Sequence, residues 1–143
     1  MNRKYFFRSL SFSIFSFLSL ALLSSAHGPL SAKEFPDFAT YSQASFDKAQ
    51  KDGKLVAVNF HASWCGNCKN QAYQLGEIMK ETDEFKDLII LHADFDDTKD
   101  LQKKMGVKKR TQILLFKNNK EVGRIKKGTK DAILKKLRAA SSS

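Results

Sequence analysis

Val58-Asn59-Phe60-His61-Ala62-Ser63-Trp64-Cys65-Gly66-Asn67-Cys68-Lys69 is the stretch on which the reading of this chain turns. It begins inside residues 55–60 (LVAVNF), an apolar run broken only by Asn59, the pattern of a strand buried on both faces. Beyond it, Ala72, Leu75, Ile78 and Met79 recur at helical spacing. The chain is therefore expected to leave a buried strand, turn at Trp64-Cys65 and enter a long helix. Two cysteines three apart on a first helical turn can meet the ~5.5 Å Cα separation that a disulfide needs. Cys65 would sit at the helix N-terminus, where unpaired N–H groups favour an anion and lower a thiol pKa. Cys68 lies one turn deeper, and Gly66 leaves the approach to sulfur open. The pattern suits thiol–disulfide exchange, with Cys65 as an exposed nucleophile and Cys68 as the resolving thiol.

Three other readings of the pair compete. A purely structural disulfide is one, but a four-residue loop constrains the unfolded chain little. Half a zinc site is another; it needs two more ligands, and only His27, His61 and His92 are available. Chance spacing in an inert core is the third, and Gly66-Asn67 between the cysteines is of exposed type. Redox chemistry accounts for more of these residues than any of the three.

Working outward, residues 37–41 read as a short edge strand. Ser42 suits the N-cap of a helix through Phe46 and Ala49, which Gly53 stops. Residues 88–91 (LIIL) form a second apolar strand, extending toward Phe95, and residues 98–105 a short helix stopped by Gly106. Residues 113–116 (ILLF) form a third strand. Asn118-Asn119 suits a hairpin turn because asparagine tolerates positive φ, and residues 121–125 pair back. Thr129 caps a last amphipathic helix with Ile133, Leu134 and Leu137 inward and Lys135, Lys136 and Arg138 outward. The expected order is β-α-β-α-β-α-β-β-α, an α/β fold with a mixed sheet.

The first 26 residues are a different object. Arg3, Lys4 and Arg8 precede an uncharged run over residues 10–23 interrupted only by serines, and Ser24-Ser25-Ala26 offers small residues before His27. This is the build of a cleavable signal peptide, and the run is short of the ~20 apolar residues of a membrane span. The expected division is signal peptide 1–26, flexible lead-in 27–36, folded domain 37–140 and tail 141–143. Export to a periplasmic or extracellular space, with cleavage near Ala26/His27, would let a disulfide persist. The whole chain of 143 residues carries a net charge of +10. Three cations and no acids belong to the leader, so the remainder stands at +7.

From about Tyr41 to Leu137 the sequence resembles the thioredoxin family. The resemblance rests on residues 58–69, on Ile113-Leu114-Leu115-Phe116-Lys117-Asn118, and on Gly128 ahead of the last helix. Phe46-Asp47-Lys48-Ala49 also resembles exported thioredoxin-like domains that draw on a membrane electron donor. The resemblance implies a thioredoxin fold, a central mixed sheet flanked by helices. It also implies a redox-active Cys65–Cys68 disulfide with no further cofactor and no resident metal, and an active-site loop of Trp64, Gly66, Asn67 and Lys69. It implies protein disulfide or thiol substrates and an upstream thiol donor. The chain is expected to act as a monomer without nucleic acid.

Departures from the family pattern mark the modulators. Asn59 stands where the family places a buried Asp, and an amide cannot relay a proton as a carboxylate does. His92 falls near the Lys partner of that Asp; a share in proton handling and an ordinary hydrogen-bonded histidine are both open. His61 replaces a common aromatic, either shaping the rim or as a surface substitution. Thr111 takes the place of the family's cis-proline. A cis peptide before a non-proline residue costs ~2.5–4 kcal/mol, so a trans or strained loop is expected there, with more room for adventitious metal. Arg110 would either stabilise the Cys65 thiolate or stand solvated with Lys108 and Lys109.

Lys103, Lys104, Lys108, Lys109 and Arg110 form one basic cluster, and Lys126, Lys127 and Lys130 another. No aromatic interleaving favours nucleic acid; a solvated face, acidic partners or an anionic membrane surface fit better. The function expected is an exported thiol–disulfide oxidoreductase, reducing rather than oxidising because Cys-Gly-x-Cys-Lys is closer to thioredoxin. The alternative, favoured by Asn59 and Thr111, is a non-catalytic binding or metal-carrying module on the same fold.

Overall fold

The computed structural model describes residues 37–143; the expected leader 1–26 and lead-in 27–36 lie outside the described residues. Five strands form one sheet: β1 (Ala39–Thr40), β2 (Val56–His61), β3 (Ile89–Asp94), β4 (Gln112–Lys117) and β5 (Lys120–Ile125). Their spatial order is β1-β3-β2-β4-β5. β1 and β2 run parallel to β3, while β4 is antiparallel to β2 and to β5, so the sheet is mixed as expected. The helices are α1 (Gln43–Lys51), α2 (Gly66–Glu81), α3 (Lys99–Lys104) and α4 (Lys130–Ser141).

Local chemistry sets the helix limits. Ser42 Oγ accepts from the Ser45 amide at 3.1 Å and starts α1. At its end Gly53 adopts φ +68°, the Gly53 amide donates to Gln50 O and the Lys54 amide to Ala49 O. α3 closes in the same way at Gly106, φ +63°, with the Val107 amide on Gln102 O at 2.8 Å. Both are the paired carbonyl-satisfying bonds of a left-handed stop, a conformation that glycine adopts without a Cβ penalty. Thr129 Oγ1 accepts from the Ala132 amide and starts α4.

β2 is the centre of the molecule, buried at every position. Its alternation divides the core in two. Ala57 packs with Ile113 and Leu115 against Leu75 and Ile78 of α2 and Ile133 and Leu137 of α4. Val56, Val58 and Phe60 pack with Leu91 and Leu114 against Phe46 and Ala49 of α1 and Val107 after α3. Among the described residues no helix is long and apolar enough to cross a membrane.

Three details differ from the sequence expectation. β1 shrinks to two residues, an edge strand paired through Ala39 and Thr40 to Leu91 and His92, with the Tyr41 amide donating to His92 O at 2.7 Å just beyond it. A single 3-10 turn, Asp83–Phe85, follows α2, started by Thr82 and pinned by buried Phe85. One buried side chain has no period, so nothing in the pattern announced it. α4 runs to Ser141, into the expected tail.

Candidate active site

The C-terminal end of β2 delivers the chain to the site. The Cys65 amide donates back to Ala62 O at 3.0 Å, and Cys65 becomes the N-cap of α2. Its Sγ accepts from the Cys68 amide at 3.2 Å. The two cysteines form a disulfide with Cα atoms 5.2 Å apart, inside the range that such a bond allows. The sulfur nearer solvent therefore sits where a helix N-terminus stabilises negative charge, as the sequence predicted.

Burial departs from expectation. Cys65 is only 6% exposed and Cys68 1%, packed with Ala62 and Phe95. Cys65 is thus recessed rather than standing out. What stands out is Trp64, 59% exposed, its indole Nε1 donating to Asp96 Oδ2 at 2.7 Å. A Cβ at Gly66 would meet open space, so the approach across that residue is clear. Asn67 and Lys69 are exposed on the first turn.

Thr111 is the least expected part of the site. It lies opposite the disulfide with φ +65°, in the left-handed region that a β-branched side chain avoids. Its amide donates to Phe60 O at 3.2 Å, tying the loop to β2. Its Oγ1 stands 3.0 Å from Cys68 Sγ and 3.4 Å from Cys65 Sγ. The strained loop foreseen at this position is present, and it turns a hydroxyl onto both sulfurs. A backbone held in a sparsely populated region costs on the order of 1–3 kcal/mol and persists only where its surroundings over-determine it.

Arg110 is exposed beside Lys108 and Lys109 and lines the same groove as Cys65; unforeseen is its guanidinium over the Trp64 ring, 4.5 Å from the centroid, a cation–π contact. His61 is neither rim nor surface, being 5% exposed in β2. It shares a sheet face with Asn59, and across the β2–β3 register Asn59 lies beside His92 and His61 beside Asp94. The His61 and His92 rings are 4.7 Å apart. Burial, then the neighbouring His92 and Lys69, push the His61 pKa down to about 4, against an opposing pull from Asp94. Burial also lowers His92, again opposed by Asp94. Asn59 is 1% exposed, and its Nδ2 has no hydrogen-bond partner among the described residues. Gln71 of α2 is buried too; sequence reasoning passed over it because one polar residue on a helix that also shows polar positions outward carries no signal. Among the described residues no set of three or more His, Cys, Asp and Glu side chains converges to hold a metal ion.

Beside Cys65 the surface opens into a groove of about 540 Å³. Its walls include Asn67, Phe95, Thr111 and cations from both basic clusters, which are distant in sequence.

Comparison with known proteins agrees with this geometry. A family model described as Thioredoxin matches residues 37–139. The chain is 36% identical over 105 residues to Thioredoxin-1 of Saccharomyces cerevisiae, an alignment covering 73% of this chain and 96% of that protein. It is 34% identical over 92 residues to an H-type thioredoxin of Fagopyrum esculentum, covering 64% and 77%. Among solved structures, Trxlp from Edwardsiella tarda superposes with a TM-score of 0.63 at 30% identity, covering 68% of this chain and 94% of that one. A disulfide capping the helix after a buried central strand, on a sheet of this order and with these relatives, places the chain in the thioredoxin family of thiol–disulfide oxidoreductases.

Proposed function

We propose that the protein reduces disulfides of protein substrates in an exported compartment, with Cys65 as nucleophile and Cys68 as resolving thiol. The observation that carries the proposal is the position of Cys65 as the cap of α2, its sulfur already accepting an amide hydrogen bond. In the reduced protein the Cys65 thiolate attacks one sulfur of a substrate disulfide. The other substrate sulfur leaves as a thiolate, giving a mixed disulfide on Cys65. Cys68, deprotonated, then attacks Cys65 Sγ and expels the second substrate sulfur. Two electrons pass to the substrate, the Cys65–Cys68 disulfide remains, and a thiol donor must reduce it again. Trp64, Gly66, Asn67 and Lys69 frame the approach, and Asn59, His61, His92, Arg110 and Thr111 tune it.

Export rests on the basic start, apolar run and small-residue end of residues 1–26; N-terminal sequencing of the exported chain, starting at His27, is the check. The binding-module alternative drew on Asn59 and Thr111; Asn59 remains an amide that relays no proton, yet a Thr111 hydroxyl aimed at both sulfurs favours chemistry there. Insulin-disulfide reduction tests the proposal. Cys65→Ser is expected to abolish turnover, and Cys68→Ser to accumulate a mixed disulfide with the substrate. Turnover that survives Cys65→Ser overturns the mechanism.

A further inference from the structure

The groove beside Cys65 is a product of the β4–β5 hairpin. β4 begins at Gln112 and β5 returns to Ile125, with Ile113 paired to Ile125. The segment before β4 and the segment after β5 therefore lie at the same end of the sheet. The β2 register, Phe60 against Gln112, puts the end of β2 there as well, and Cys65 follows it. Lys108, Lys109 and Arg110 thus meet Lys126 and Lys127 around one concave surface that reaches Cys65.

No carboxylate lines this groove, and none of the five cations has an acidic partner among the described residues. Elsewhere Lys48, Lys54, Lys130, Arg124 and Arg138 each hold one. Asp96 approaches the site but is engaged by the Trp64 indole and does not line the groove. Cations gathered in a concave surface focus field lines and raise the local concentration of an anionic partner.

We infer that the groove recognises acidic polypeptide segments, so that the preferred substrates carry Asp or Glu close to the disulfide being reduced. A peptide strand can enter a groove and bring its disulfide to Cys65 on its wall; a bilayer surface is too flat to do so. The inference rests on the exchange reading above and adds a substrate class to it.

The experiment uses the reduced protein and three synthetic cyclic disulfide peptides that differ only in three flanking residues, Glu, Gln or Lys. Reduction rates are measured at 20 mM and 500 mM salt, together with the rate on uncharged bis(2-hydroxyethyl) disulfide. At low salt the Glu peptide is expected to react at least tenfold faster than the Lys peptide, with the ratio falling toward one at high salt. The quadruple variant Lys108→Gln, Lys109→Gln, Lys126→Gln, Lys127→Gln is expected to lose most of that ratio. The charge-matched control Lys51→Gln, Lys86→Gln, Lys135→Gln, Lys136→Gln, all exposed and away from the groove, is expected to keep it. Because the ratio is taken within one variant, a change in Cys65 reactivity cancels. Equal rates on the three peptides, with the uncharged disulfide still reduced, overturn this inference and leave the exchange reading standing. Failure to reduce the uncharged disulfide overturns the exchange reading itself. Loss of the peptide preference together with salt-sensitive sedimentation on phosphatidylglycerol vesicles would assign the cations to a membrane surface and also overturn it.

Discussion

Thr111 joins two properties that a proline could not combine. Its Oγ1 lies 3.0 Å from Cys68 Sγ and 3.4 Å from Cys65 Sγ, and its backbone is held at φ +65°. In the oxidised protein a hydroxyl gains little from a disulfide sulfur. In the reduced protein the same hydroxyl can donate to a thiolate, and hydrogen bonds to charged groups contribute about 1.5–3 kcal/mol. Thr111→Val keeps the branched shape and removes only the hydroxyl. The lower thiol pKa of the reduced protein, followed by thiolate absorbance, is expected to rise by about one unit in Thr111→Val. It should stay in place in Thr111→Ser. No rise in the valine variant would mean that the hydroxyl is a spectator. The sequence told that proline was missing here; that a threonine would turn its side chain onto the sulfurs depends on a backbone angle that composition does not encode.

At the scale of elements, the β4–β5 hairpin shows how far local rules reach. Asn118 and Asn119 take φ +51° and +62°, the pair of left-handed residues that a two-residue turn of this hand requires. The asparagines were legible for that reason. The clamp behind them was not. Gln50 is 3% exposed on α1; its Oε1 accepts from the Asn119 amide at 2.7 Å, and its Nε2 donates to Phe116 O and Lys54 O. Gln50→Leu would remove hydrogen bonds to backbone groups that are only partly buried, at a cost of about 0.5–1.5 kcal/mol for each bond that water does not replace. Chemical denaturation is expected to show that loss. Asn119→Gly, which keeps the amide and the turn, is expected to stay within about 0.5 kcal/mol of wild type. Equal stability of Gln50→Leu and wild type would remove the clamp from the account.

For the whole molecule, buried His61 and half-buried His92 set a pH dependence. His61 titrates at about 4 in the folded protein, and His92 is also lowered, chiefly by burial. Both return to an ordinary value near 6.5 when the chain unfolds. Between these limits the unfolded state binds more protons, so stability is complete above pH 6.5 and is lost as pH falls toward 4. Each histidine can contribute a slope of at most about 1.4 kcal/mol per pH unit. Urea midpoints measured from pH 7.5 to 4.5 are expected to fall on the acid side, and His61→Phe to flatten that limb. Asp52, Asp87 and Glu84, lowered by hydrogen bonds from Lys48, Lys54 and Arg138, lose their contribution only as pH drops through their own lower values. A midpoint unchanged down to pH 5 would contradict the assignment.

The order of elements, the stops at Gly53 and Gly106, the hairpin asparagines and the placement of the two cysteines on a helix start were all readable in the sequence. Each follows from interactions within a few residues, through periodicity, capping and φ preference, and these are written locally. The short 3-10 turn, the buried glutamine clamp, the recessed Cys65, the stacking of Arg110 on Trp64 and the hydroxyl of Thr111 were decided only by the tertiary structure. So was the union of two basic clusters separated by a full hairpin. These depend on which strands lie side by side: β2 between β3 and β4, and β5 folded back on β4. Strand order is set by non-local burial, and that is where sequence alone stops and the folded chain begins to specify a substrate.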